Sequence, residues 1–296
     1  MNSYSKILKA NILLIVASFI WGTSFVAQRE GMSHIGPFAF SGFRFIFGCI
    51  FLAPFAFISY RKIRHISSEK ALFMLWNCFL AGMLMFVGIN LQQIGIVYTT
   101  AGKAGFITGL YAAIVPCLGL AIGQRPNIGL WVSLPLVLTG LYLLSINESY
   151  TFAKGDLWIL SCAFVWAVHV LFLGWLSPKV DSFLLAFGQS FVCAVFSIIA
   201  AGFLENINIS GFLGAKLSIL YSGVMSVGVA FTLQVIAQKD SPPAHAAIIL
   251  QLESLIAAIS GWLILGELMS ERAIFGAALM LIGVLIVQLW PQKKIN

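Results

Sequence analysis

Leu91 to Pro126 reads LQQIGIVYTTAGKAGFITGLYAAIVPCLGLAIGQRP. Amides lead into it: Asn90 just before, then Gln92 and Gln93. The chain is expected to turn at Tyr98-Thr99-Thr100 and to enter a helix with small residues at Ala101, Gly105, Gly109 and Ala113. Residues four apart lie on one helix face. Inside a bilayer such a stripe lets backbones approach closely, where burying more leucine gains nothing over lipid. The stretch therefore reads as a membrane helix with a seam cut for a partner.

The rest of the chain agrees with a bilayer setting. Of 296 residues, 60% are hydrophobic and 9% charged, where a soluble chain has roughly a quarter charged. Its apolar runs reach the roughly 20 residues that a helix needs to cross hydrocarbon. The fold class expected is all-α integral membrane. The net charge of +7 is no sign of nucleic acid, because the basic residues gather in short loops as cytoplasmic flanks do. Cys49, Cys78, Cys117, Cys162 and Cys193 fall singly inside apolar runs, so they read as core residues rather than a disulfide framework or metal site. The N-terminal apolar run lacks a convincing cleavage site and reads as a retained first span.

Hydropathy places ten spans, at about 10–28, 37–60, 71–96, 101–123, 128–146, 156–177, 182–204, 215–237, 244–265 and 273–290. Lys6, Lys9, Arg61, Lys62, Arg64, Lys70, Arg125, Lys179, Lys239, Lys293 and Lys294 fall on one side of these spans. The other side holds Arg29, Lys154, Lys216 and Arg272, with Lys103 at a span end. The bias puts both termini in the cytoplasm of a cell inner-membrane protein.

A repeat lies beneath this pattern. Trp21 and Arg44 stand 23 apart, and so do Trp166 and Gln189. Leu91-Gln92 matches Leu233-Gln234; from there Lys103 falls on His245, Tyr111 on Glu253 and Arg125 on Glu267. The halves, 1–150 and 151–296, carry five spans each, and an odd number inverts one repeat against the other.

These residues carry a resemblance. Trp21-Gly22-Thr23-Ser24-Phe25, Arg44-Phe45, the run Thr99–Tyr111 and Gly140–Ser145 resemble the drug/metabolite transporter superfamily, and within it a ten-span EamA-type member. Gly155-Asp156-Leu157, Leu252-Glu253 and Gly266-Glu267 continue the likeness through the second half. The chain departs from the usual pattern at Ser254, where a proline commonly follows the glutamate, and at Gln124-Arg125, where many members have Gly-Glu. The resemblance implies export of small metabolites or drugs through a central cavity by alternating access.

Glu253 is the foremost candidate. About ten residues into its span, it lies roughly 15 Å deep, near the midplane. A carboxyl there is costly unless paired, wet or protonated, and such residues mark ion or substrate paths. Arg44, at a similar depth, either holds a substrate carboxylate or pairs with a protein acid or helix-end carbonyls. His169 shares a face with Trp166 and Phe172; it relays protons or is a hydrogen-bonded core residue. Its repeat mate is Ser24. Asn90, Gln92, Gln93, Gln189, Gln234 and Gln251 bridge helices or line a polar cavity. Trp21, Tyr111 and Trp166 form an aromatic wall or ordinary packing. Lys103 and His245 occupy matching span starts; Lys103 is expected to snorkel to the interface, with a role at the substrate entrance as the alternative.

The function expected is a secondary transporter exporting a small organic metabolite, an amino acid or related compound, in exchange for protons. A multidrug exporter and an uncoupled facilitator remain alternatives. So does an integral-membrane enzyme acting on a lipid, although the paired acids or His/Asp cluster it would need are missing from the sequence. Without a Gly-rich phosphate loop, ATP is not the direct drive. His34, His65, His169 and His245 lack metal-ligand spacing; neither a metal nor a cofactor is expected. The partners expected are a small-molecule substrate, protons and the lipid bilayer, with the chain a monomer or homodimer.

Overall fold

A computed structural model describes residues 3–63, 65–98, 101–145, 154–265 and 269–290. Thr99, Thr100, Arg64, Gly266, Glu267, Lys293 and Lys294 lie outside the described residues, as does the side chain of Lys103.

Among the described residues ten helices are long and apolar enough to cross a membrane, and there are no strands. The first three spans are α1 (Ser3–Met32), α2 (Pro37–Ile63) and α3 (Ser68–Tyr98). The fourth is split into α4 (Ala101–Gly109) and α5 (Tyr111–Ala121), and the fifth is α6 (Ile128–Ser145). The second half opens with α7 (Lys154–Leu176) and α8 (Ser182–Leu204). Its eighth span runs through α9 (Ile209–Tyr221), a π-helical stretch (Ser222–Ala230) and α10 (Phe231–Ala237). The ninth is split into α11 (Pro243–Leu250) and α12 (Leu252–Leu265), and the tenth is α13 (Glu271–Leu289).

Helices of one half pack chiefly on helices of the other. Span 5 lies along span 10, and span 2 along span 7. Span 3 packs on span 6, and its counterpart span 8 packs on span 1. Span 9 lies on span 1 as span 4 lies on span 6. The contacts thus repeat in twofold pairs, as two inverted five-helix units require. Neither half keeps a core to itself: the largest buried cluster joins Leu14 and Ala17 of α1 to Val115 of α5, Ala167 of α7 and Ile248 of α11.

Two helices expected to be continuous are bent. In span 4, Leu110 N–H bonds Ile107 O at 3.2 Å and Ala113 N–H bonds Leu110 O at 2.9 Å. In span 9, Gln251 N–H bonds Ile248 O at 3.2 Å and Ser254 N–H bonds Gln251 O at 3.1 Å. Both bends are the same tight turn, with bonds three residues back where an α-helix reaches four. Pro116 follows the first bend and removes a backbone donor from the next turn. The second bend has no proline, so hydropathy alone does not reveal it. By these bends Leu110 answers Gln251, one residue off the register in which Tyr111 meets Glu253.

The small-residue stripe finds its partner here. A Cβ on Gly109 would lie 2.6 Å from Gln251 Oε1 and 2.3 Å from Leu141 Cδ2, and one on Gly105 would come 4.0 Å from Ser254 Oγ. The fourth span therefore presses its glycine face against the ninth at the bend of each. Substituting Gly109 by valine forces both neighbours aside; overpacking of this kind costs about 1–3 kcal/mol. The variant is expected to unfold at lower temperature in detergent, and an unchanged midpoint would contradict the packing described.

Candidate functional site

The bends open a central cavity whose lining comes from both halves. It encloses about 560 Å³ of space free of atoms, its open mouth included. Seven residues singled out in the sequence border it: Trp21, Arg44, Gln92, Tyr111, Trp166, Gln234 and Glu253. They come from seven different spans, so their meeting depends on the whole bundle.

Trp21 and Trp166, repeat mates, flank the ring of Phe231. Trp21 stands 4.8 Å from it, tilted by 59°. Trp166 lies 6.1 Å away and nearly parallel, at 20°. Both separations suit aromatic pairing. The Trp21 indole N–H also donates to the Ser226 carbonyl at 3.3 Å. That carbonyl accepts the Phe231 N–H from five residues on, the bond of a π-helix. The wider turn sets Ser226 and Phe231 at the cavity, a known use of π segments. Next to Trp21, Gly22 admits the ninth span: a Cβ there would lie 2.7 Å from the Glu253 carbonyl oxygen. Glu253 follows the bend directly, in the first turn of α12, with its side chain partly open to the cavity.

Arg44 is the largest fully buried side chain, 1% exposed. Its guanidinium stands 5.5 Å from each of the Phe40 and Phe45 ring centres. Its Nε and Nη2 have no hydrogen-bond partner. Among the described residues no carboxylate lies within 4 Å of it, so the protein-acid reading of Arg44 is not the one observed.

The other candidates stand behind this wall. His169 Nε2 lies 3.2 Å from Gln189 Oε1, both residues fully buried, and the imidazole meets the Trp166 ring edge-on at 5.3 Å. Ser24 bonds Ser222 at 3.3 Å. Asn90 donates to Ser197 Oγ at 2.9 Å and to Phe86 O at 2.8 Å, tying span 3 to span 7. Gln93 donates to Gln28, which itself borders the cavity. His245 is buried, with its Nε2 3.0 Å from Asn11 Oδ1 on the first span.

Sequence reading passed over Phe25, Gln28, Thr108, Ser226 and Phe231, all of which border the cavity. Trp21, Phe25 and Gln28 follow the spacing i, i+4, i+7, which places them on one helical face; that signal was available. Ser226 and Phe231 owe their place to the π stretch, which no residue pattern announces.

The EamA-like transporter family matches residues 8–146 and 153–289, nearly the whole chain in two segments. The chain belongs to this family of transporters and is a multi-pass membrane protein with a small-molecule substrate. It is 29% identical to an "Uncharacterized transporter" of Archaeoglobus fulgidus, over 96% of this chain and 87% of that one. It is 24% identical to "Uncharacterized transporter YoaV" of Bacillus subtilis, over 93% of this chain and 95% of that one. With the "WAT1-related protein At3g02690, chloroplastic" of Arabidopsis thaliana it shares 26% identity, over 93% of this chain and 68% of that one. A solved structure 18% identical, covering 94% of this chain and 95% of its own, superposes with a TM-score of 0.76, which shows the shared fold.

The buried pair behind Trp166 can be tested through stability. Removing one partner strands the other's polar atoms, at about 1–3 kcal/mol. His169→Phe and Gln189→Leu should each destabilise the protein, and the double variant should cost less than their sum. Additive effects in thermal unfolding would show that the pair is not coupled.

Proposed function

We propose that this protein exports a small organic metabolite, an amino acid or related compound, across the cell inner membrane in exchange for protons. The observation that carries the reading is the position of Glu253: an ionisable carboxyl at a helix bend, bordering a cavity that both halves build. Glu253 cycles between its protonated and ionised forms, and the cavity opens to each side in turn as the halves, 1–150 and 151–296, move against one another. A carboxyl kept inside a bilayer for packing alone would be expensive, which favours a functional role. The bent spans 4 and 9 suit the motion, since bonds around the bends are already not those of a straight helix. Basic loops support placing both termini in the cytoplasm. A single bundle holds the entire cavity, so a monomer suffices for the cycle, and a homodimer would leave the mechanism unchanged.

Protein in liposomes, screened with amino acids and cationic dyes with and without a pH gradient, tests the reading. Glu253→Gln has no titratable carboxyl and should lose gradient-driven accumulation at least about tenfold, since one pH unit across the membrane is worth about a factor of ten for each coupled proton. It should still exchange labelled for unlabelled substrate in the absence of a gradient. Full pH-driven transport by Glu253→Gln would overturn the coupling role, and transport of nothing by the wild type would overturn the function.

A further inference from the structure

Arg44 has no protein partner for two of its guanidinium nitrogens although it is 1% exposed and borders the cavity. A guanidinium is charged at any working pH and offers five donors in a planar fork. Taking that charge out of water without an anion is costly, and a buried charge is normally paired. Phe40 and Phe45 each set a ring centre 5.5 Å from the guanidinium, but a ring face offsets only a small part of the lost hydration. Two nitrogens of the fork thus remain without a hydrogen-bond partner among the described residues, and a carboxylate would satisfy them through two parallel hydrogen bonds.

The space beside it has a second character. Phe231, with Trp21 and Trp166 on its flanks, presents aromatic surface to the same cavity, and Phe45 links the two parts: its ring centre stands 5.5 Å from the Arg44 guanidinium and 6.1 Å from Phe231. An oxyanion held at Arg44 therefore has its carbon skeleton against aromatic rings, which favour a flat apolar body over a hydrated polar one.

We propose that Arg44 is the anchor for a substrate carboxylate, so that the molecules this protein takes are organic carboxylates with a planar apolar portion lying on Phe231, Trp21 and Trp166. The inference rests on the transport reading above and names its substrate class. Pairing with Arg44 also cancels the substrate's charge, so proton exchange at Glu253 is not opposed by an anion beside it.

Calorimetric titration of the purified full-length protein in detergent tests this without any gradient. The probes are hydrocinnamate, its neutral amide, and phenethylamine. Hydrocinnamate should bind, and the amide and amine should bind at least about tenfold more weakly, as loss of a bidentate charged contact implies. In Arg44→Gln the acid and the amide should bind equally weakly, and Arg44→Lys should recover part of the preference. Should Arg44→Gln fail to fold, the three probes on wild-type protein still decide. The inference is overturned if the amide or the amine binds as well as the acid, or if none of the three binds at millimolar concentration. Gradient-driven movement of an amine with no binding of hydrocinnamate would overturn this anchor and leave proton-coupled transport standing. Binding of hydrocinnamate with no dependence of transport on pH would do the reverse.

Discussion

Where the fourth and ninth spans cross, Gly109 lies against the side-chain amide of Gln251, and the arrangement of the cavity depends on that approach. A larger residue at 109 would hold the two bends apart. With the bends together, Glu253 stands in the first turn of the helix that leaves the crossing, and Tyr111 begins the helix that leaves it from the other repeat. In lipid there is no hydrophobic force to drive such helices together, so close packing of small residues and a few polar bonds must do it. Gln251 is itself buried with neither amide atom bonded. The crossing is thus close in shape yet incomplete in its hydrogen bonding.

The same economy governs the charged groups. A bilayer interior tolerates an arginine and a glutamate only where protein replaces water around them. Here the replacement is partial. Arg44 has two aromatic rings beside it but is not neutralised among the described residues, and Glu253 opens onto the cavity with no cation bonded to it in the described structure. By contrast His169, Asn90, Gln93 and Ser24 each have a polar partner within the packing. Those pairs tie helices together, whereas Arg44 and Glu253 border the space that a substrate would fill.

Much of this was legible beforehand. The ten spans and the twofold repeat follow from hydropathy and from matched spacings such as Trp21 to Arg44 and Trp166 to Gln189. The small stripe correctly announced a close partner, though not which helix supplied it. What the sequence hides is the departure from straight α-helix. The bend at Gln251 has no proline, and the π turn at Ser226 has no residue signature, because both are set by tertiary packing rather than local preference. For the same reason residue type could not separate the amides that border the cavity, Gln234 among them, from those that tie helices, such as Asn90.

The central claim is that one cavity, built by both repeats around Glu253 and Arg44, opens alternately to the two sides of the membrane. The most direct measurement uses Phe25, which borders the cavity, replaced by cysteine in a protein whose five native cysteines are changed to alanine or serine. A membrane-impermeant thiol reagent is applied to this protein in sealed vesicles of each orientation. The account predicts labelling from both sides, with the two rates shifting in opposite directions when the pH is changed. Labelling from one side only, at every pH, would contradict it.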